Sequence, residues 1–128
     1  MRITPNLLLA LLALIIASSL FQSCARDLID QQLHFGIKAA QSDLWEEAIF
    51  RWKKVVEANP DSAAAHNNLA VAYEKKGLWE EAKKEYERAL KLSPNNSYIK
   101  SNYENFKKYY EQKKEKKDEE EKEKKGRK

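Results

Sequence analysis

Apolar and polar residues recur along this chain with a period of 34 positions. The LWEEA of residues 44–48 returns at residues 78–82, and the same pattern fills residues 29–62 and 63–96 without an insertion. A fixed period of this length is typical of stacked helix–turn–helix units. The pattern predicts four helices, at about residues 27–41, 44–59, 62–76 and 78–92.

Turn and cap residues divide the predicted helices. Asp43 and Gly77 lie in the turn inside each unit, where the backbone needs left-handed or turn conformations that these two residue types tolerate. A proline closes each unit. Asp61 and Ser62 are expected to supply capping oxygens for the first helix of the second unit.

The apolar spacing continues beyond the second unit. Ile99, Tyr103, Phe106 and Tyr110 follow one another at i, i+4, i+7 and i+11, which predicts one more helix over residues 97–110. A terminal helix of this kind is expected to cover the last exposed helix of a stacked array.

The last segment of the sequence is entirely polar. Residues 111–128 contain nine bases, seven acids and no apolar residue. They are predicted to be either disordered or an exposed helical extension of the cap, because several opposite charges stand four positions apart. The functional interpretation is a basic tether for anionic lipids or for an acidic partner. The alternative is a segment that only improves solvation.

The two units resemble the tetratricopeptide repeat family. In the second unit the matching residues are Asn68-Leu69-Ala70, Tyr73, Gly77, Glu81-Ala82, Tyr86, Ala89-Leu90 and Pro94. In the first unit they are Phe35-Gly36, Glu47-Ala48, Trp52, Val55-Val56 and Pro60. The resemblance implies an all-α fold: a short right-handed α-solenoid of two helix pairs, followed by a C-terminal capping helix and a charged tail.

Residue size indicates how these helices would pack. Small residues are expected where two helix axes cross closely, at Gly36, Ala48, Ala70, Ala82 and Ala89. Larger residues are expected to fill the spaces between helices, at Phe35, Leu69, Tyr73, Trp52 and Tyr86. Two units and a cap form a thin core, since arrays generally need about three units. A second copy or a partner is therefore a candidate for completing it.

An apolar run stands near the start of the sequence. Residues 7–17 are all apolar, they follow a weakly basic segment, and the sole cysteine, Cys24, comes soon after them. A basic start, an apolar core and a small-residue exit are typical of a secretory signal. The run is shorter than the roughly 20 residues that a membrane-spanning helix needs.

The end of this run resembles the lipobox of bacterial lipoproteins, in which a small residue precedes an acylated cysteine. The resemblance implies a signal peptide over residues 1–23, lipidation of Cys24 and a connector over residues 24–28. Ala25 resembles members sent to the outer membrane, so the expected location is the cell envelope, on a lipid anchor facing the periplasm. An uncleaved signal anchor in the inner membrane and ordinary secretion are the alternatives.

The composition argues against catalysis and against nucleic-acid binding. The 24 bases are nearly balanced by 20 acids, and a net charge of +4 does not favour a nucleic-acid surface. Two histidines and one cysteine form no metal-ligand spacing. The glutamate pairs that open the second helix of each unit favour stabilisation by the helix dipole. We therefore expect no enzyme activity, no cofactor and no nucleic-acid partner.

The family resemblance also implies a concave groove, built from the first helix of each unit. The predicted lining is Leu33, His34, Ile37, Gln41, Asn67, Asn68, Val71, Glu74, Lys75, Tyr98 and Asn102. Such a groove binds another protein, and its apolar members suit an apolar segment. The expected function is a membrane-anchored adaptor for protein–protein interaction. The alternative is a self-associating structural component of an envelope complex, without a separate peptide ligand. For Leu33, Ile37 and Val71, burial against neighbouring helices is an equal alternative.

Overall fold

A computed structural model of the chain describes the backbone of residues 5–127 and the side chains of residues 8–17 and 26–127. Within this part the chain forms five α-helices and no strand. The helices are α1 (Pro5–Gln41), α2 (Trp45–Ala58), α3 (Ala63–Lys75), α4 (Trp79–Leu92) and α5 (Ser97–Gly126). Short turns make each helix pack antiparallel to the next, and α3 also contacts α5. The predicted all-α solenoid of two helix pairs with a capping helix is confirmed.

The first helix is much longer than the sequence pattern predicts. It begins at Pro5 rather than near residue 27, so the expected connector over residues 24–28 is helical. Leucine and alanine favour helix throughout this stretch, and proline is tolerated in a first helical turn, so the helix is not interrupted. The side chain of Cys24 lies outside the described side chains. Among the described residues, no helix combines the length and apolar character that a membrane crossing requires.

The turns inside the two units have the predicted backbone. Asp43 has a φ of 57° and Gly77 a φ of 71°, both in the left-handed region. Ser62 caps α3, because its Oγ accepts a hydrogen bond from the backbone N–H of Ala65 at 3.3 Å. The prediction that Asp61 also caps α3 is wrong. Its carboxylate instead accepts a hydrogen bond from Arg88 on α4 at 3.1 Å.

The close crossings between paired helices are where small residues were expected. Ala48 and Ala82 are fully buried, beside the buried aromatic rings of Trp52 and Tyr86. Phe35 was expected to fill a space between helices, but it is 47% exposed. The reason lies in its position on α1, since no described helix precedes α1 to cover that face.

The capping helix packs as the first helix of a third unit. Ile99, Tyr103 and Phe106 stand one period after Ala65, Leu69 and Ala72, the α3 residues that are buried towards the preceding helix pair. Phe106 lies 5.1 Å from Tyr86 and 5.5 Å from Tyr110, measured between ring centroids. The charged tail continues α5 as an exposed helix to Gly126, which matches the second of the two predicted alternatives.

Candidate partner groove

The predicted groove wall consists of one face of α1, α3 and α5, the first helix of each successive unit. The middle of this wall carries no charged residue. Its members are Leu33, His34 and Ile37 on α1, Asn68 and Val71 on α3, and Asn102 and Asn105 on α5. Since 34% of the chain is charged, this neutral strip distinguishes the wall from the remaining surface.

Two apolar residues of α1 were both predicted to line the groove, but they differ in burial. Leu33 is half-buried and packs against the core, and its backbone carbonyl accepts a hydrogen bond from the Trp52 indole at 3.2 Å. Ile37 is exposed, as are His34 and Gln41. Ile37 is therefore the apolar side chain of α1 that a ligand would meet, and Leu33 supports it from below.

An asparagine network joins α3 to α5. Asn102 donates a hydrogen bond to Asn67 at 3.1 Å, and Asn67 donates to Asn68 at 3.5 Å. Asn67 is only 2% exposed, so it lies beneath the wall and holds the two helices in register. Asn68, Val71 and Asn102 are half-buried, which leaves their outer atoms on the wall.

The charged residues of the wall lie at the C-terminal end of α3. Glu74 accepts a hydrogen bond from the Tyr86 hydroxyl at 2.9 Å. Burial, with the nearby Glu74 carboxylate second, raises the pKa of Tyr86 above its ordinary value. Lys75 is exposed, and its Nζ lies 6.0 Å from the centre of the Trp45 ring. These charges have partners within the protein and leave the neutral strip undisturbed.

The far end of the wall extends beyond the predicted residues. Tyr98 is exposed as expected, but α5 also presents Asn105 and Tyr109 on the same face. These two residues stand one period after Val71 and Lys75. Continuing the 34-residue shift past residue 96 would have found them. They were missed because α5 was treated as a cap rather than as a third copy of the first helix.

The wall presents groups that donate and accept hydrogen bonds. The polar groups of the neutral strip are the amides of Asn68, Asn102 and Asn105 and the imidazole of His34, which suit hydrogen bonds to peptide groups. Among the described residues, no three histidine, cysteine or acidic side chains are grouped as a metal site. The His34 ring nitrogen Nδ1 lies 2.9 Å from the Asp30 carbonyl of its own helix.

Comparison with known proteins agrees with this fold. Family models of the tetratricopeptide repeat match residues 63–96 and residues 41–77. The mouse Protein O-mannosyl-transferase TMTC4 is 41% identical over 58 residues, which are 45% of this chain and 8% of that protein. The C-terminal TPR-containing domain of a Plasmodium falciparum FK506-binding protein superposes with a TM-score of 0.69 and 25% identity, covering 75% of this chain and 64% of that chain.

These matches establish that residues 41–96 form tetratricopeptide repeats. Such repeats generally bind other proteins and are typically non-catalytic scaffolds. The chain spans only a small part of the mouse transferase and less than two thirds of the solved domain. The similarity to a transferase is confined to the repeat stretch, so it concerns the scaffold alone.

Proposed function

We propose that this chain is an adaptor that holds another protein at a membrane of the bacterial cell envelope. The neutral strip across α1, α3 and α5 carries the proposal. A charged ligand would lose hydration there without meeting an opposite charge, and burying an unpaired charge is costly. An uncharged segment with an apolar side chain for Ile37 and backbone amides for Asn68 and Asn102 suits the strip best.

The attachment rests on the apolar segment and on Cys24. A lipid on Cys24 would place the anchor only a few residues before the part of α1 that packs on α2. Two or three acyl chains give stable attachment, whereas a single chain gives marginal binding. The location proposed is the outer membrane, facing the periplasm. A signal anchor in the inner membrane remains the alternative form of attachment. The adaptor needs no cofactor and no enzyme activity, and it has no nucleic-acid partner.

A pair of substitutions on exposed apolar residues tests the groove. Ile37→Asp places a carboxylate on the strip, and the matched control Leu44→Asp places one at the start of α2, where Leu44 is 57% exposed. Wild type and both variants are purified from membranes with their associated proteins, which mass spectrometry identifies. We expect Ile37→Asp to lose the partner, Leu44→Asp to retain it, and both to keep wild-type helix content by circular dichroism. Retention by Ile37→Asp would exclude the groove.

Metabolic labelling with an acyl analogue tests the anchor separately. Cys24→Ala removes the sole thiol of the chain. We expect wild type to carry the label and Cys24→Ala to lose it and to leave the membrane fraction. Equal labelling of both would exclude lipidation at Cys24, and the signal-anchor alternative would then apply if membrane attachment persisted.

Self-association is the second candidate function, and a specific surface favours it. Phe35 and Phe50 are each about half exposed, and the Arg51 guanidinium lies 5.5 Å and 5.6 Å from their ring centres. This surface includes the face of α1 that would receive a preceding helix pair. Sedimentation of the full chain in detergent distinguishes the candidates: a dimer dissociated by Phe35→Asp supports self-association, and a monomer at all concentrations excludes it.

A further inference from the structure

The two long helices leave the solenoid at opposite ends. Trp52 on α2 bonds to Leu33 on α1, so the end of α2 at Ala58 is level with about residue 27 of α1. The part of α1 before this level extends past the end of the solenoid that carries Pro60 and Pro94. We call this the proline end, and the opposite end, which carries Asp43 and Gly77, the turn end.

The charged part of α5 extends past the turn end. Tyr103 bonds to Glu87 and Tyr110 bonds to Glu80, so the start of α4 at Trp79 is level with about residue 111 of α5. Residues 111–126, which we call the arm, lie beyond that level. At 1.5 Å per residue the arm projects by about 22 Å. It points away from the apolar segment of α1.

The arm supports its own helix. Opposite charges stand four residues apart at Lys114/Asp118, at Lys117/Glu121 and between Glu123 and Arg127, the last pair at 3.5 Å. Each such pair contributes about 0.2–0.5 kcal/mol to an exposed helix. A chain of these pairs favours a straight projection over an arm that folds back along the solenoid.

The charges of the arm are arranged in blocks. Residues 111–117 hold four bases and two acids, residues 118–123 hold five acids and one base, and residues 124–128 hold four bases. A uniformly anionic surface such as a lipid bilayer would repel the middle block. A protein surface can carry the complementary order of acidic, basic and acidic groups, so the block order favours a protein.

A cleft at the base of the arm offers apolar contacts next to these charges. It has a volume of about 790 Å3 and lies between the turn end and the arm. Leu78 is 41% exposed in it, and Trp79 is half-buried beside it with Lys113 at 4.7 Å from the ring centre. Lys114, Lys117, Asp118 and Glu121 line its outer side.

We propose that the arm and this cleft form an interaction surface for a second protein, on the side that faces away from the membrane. The occupant is a protein segment with an apolar side chain for Leu78 and Trp79 and with acidic, basic and acidic groups opposite the three blocks of the arm. The orientation of this surface away from the membrane rests on the proposed function. The projection of the two long helices from opposite ends, and the order of the charge blocks, do not depend on it. The tail is accordingly not a tether to the anchoring membrane.

The geometry is tested on the full chain by energy transfer between two fluorophores. They are attached through genetically encoded azide residues at Asn59, at the proline end, and at Glu123, on the arm. The helix rise places these sites about 40 Å apart or more. A distance below about 25 Å would show that the arm folds back and would overturn the proposal, whether or not the chain is membrane-bound.

The occupant is tested by photo-crosslinking in membranes of cells that express the full chain, with benzoylphenylalanine at Lys117. We expect a protein adduct of discrete mass. In a charge-exchange variant the same substitution is combined with Lys113→Glu, Lys114→Glu, Asp118→Lys and Glu121→Lys, which leaves the net charge unchanged. We expect this variant to lose the adduct, because the exchange makes residues 111–117 acidic and leaves residues 118–123 without a net charge. A lipid adduct, no adduct, or an adduct indifferent to the exchange would each overturn the proposal.

These outcomes are separable from those of the proposed function. Cys24→Ala tests the anchor, and Ile37→Asp tests the groove at a residue of α1, whereas the exchanged charges all lie on the arm of α5. If Cys24→Ala left the protein attached, or Ile37→Asp kept its partner, the arm would still be judged by the fluorophore distance and by the charge exchange.

Discussion

The two repeats share one sequence pattern but differ at the face that meets the preceding helix pair. Leu69 of α3 is 2% exposed because α2 covers it, whereas Phe35, one period earlier on α1, is 47% exposed. Ala65 and Ala72 flank Leu69 and allow the close approach. The corresponding α1 residues are the exposed Gln31 and Lys38. Whether a given repeat position is buried therefore depends on where its unit lies in the stack.

Where the two helices of a unit pack together, each repeat buries one aromatic ring. The two repeats differ in the sizes of that ring and of the small residue beside it. Trp52 in the first unit and Tyr86 in the second are both buried. The larger indole of Trp52 occupies the space next to Gly36, where an added Cβ would overlap the indole ring. The second unit has Ala70 at that place and the smaller ring of Tyr86. Each unit thus balances one small and one large residue.

The largest expected effect concerns the face towards the preceding pair. Leu69→Ala should lower the free energy of unfolding by about 2–5 kcal/mol, as buried leucine truncations do. Phe35→Ala should cost only about 1 kcal/mol, although it removes more atoms, because half of that ring already contacts water. Urea titration followed by circular dichroism measures both. Equal losses would contradict the difference in burial between the two repeats.

The next effect concerns the balance inside the unit. Gly36→Ala should destabilise the chain by about 1–3 kcal/mol through overpacking against Trp52. Adding Trp52→Tyr reproduces the combination of the second unit and should recover a large part of this loss. The thermal midpoints of the single and double variants measure the recovery. If the double variant lost as much stability as the two single variants together, or more, the two units would not balance space in the same way.

A smaller effect should distinguish the units at alkaline pH. Burial and Glu74 raise the pKa of Tyr86, so the unfolded chain releases this proton first, near its ordinary value of about 10. The stability due to Tyr86 is therefore complete below that pH and falls as the pH rises above it. Trp52 in the first unit has no such proton.

The test compares Tyr86→Phe with wild type by urea titration at pH 7, 10 and 11. At pH 7 the variant should lose about 0.5–1.5 kcal/mol, as expected for one hydrogen bond. Its further decline towards pH 11 should be shallower than that of wild type. Trp52→Phe provides the matched control, with an unchanged pH dependence. Parallel curves for Tyr86→Phe and wild type would contradict a raised pKa of the Tyr86 hydroxyl in the folded chain.

The smallest effect concerns the exposed polar contacts at the N-terminal ends of α2 and α4. Glu46 forms an ion pair with Lys76, and one period later Glu80 accepts a hydrogen bond from Tyr110 at 2.5 Å. The hydrogen bond from Lys76 lowers the pKa of Glu46, but this side chain is 74% exposed. Lys76→Ala and Tyr110→Phe should therefore leave the urea midpoint within error in 0.5 M NaCl. A large loss for either variant would indicate a buried contact.

Local chemistry made several features of the fold predictable from the sequence. The 34-residue period gave the helix pairs, and Asp43 and Gly77 gave the turns, because only a few residue types tolerate a positive φ. Ser62 was a predictable cap, since a hydroxyl next to a helix start has free N–H groups within reach.

Other features depended on contacts between distant residues. The pattern that marks Phe35 and Leu69 as equivalent contains no information on which of them lies at the end of the stack. The sequence predicts that Asn67 lines the groove. In the structure Asn67 is buried, and its side chain accepts a hydrogen bond from Asn102. Asp61 has the chemistry of a cap, but Arg88 on another helix competes for its carboxylate.

The sequence by itself determined the repeat, the turns and the capping helix, because each is encoded within about one helical turn or one period. Tertiary structure alone decided which members of equivalent positions are buried, and at which end of the solenoid each long helix emerges. Those outcomes follow from the antiparallel packing of successive helices, which places the apolar segment of α1 and the arm of α5 at opposite ends. Burial and direction depend on neighbours that are remote in the chain, and a local pattern cannot encode them.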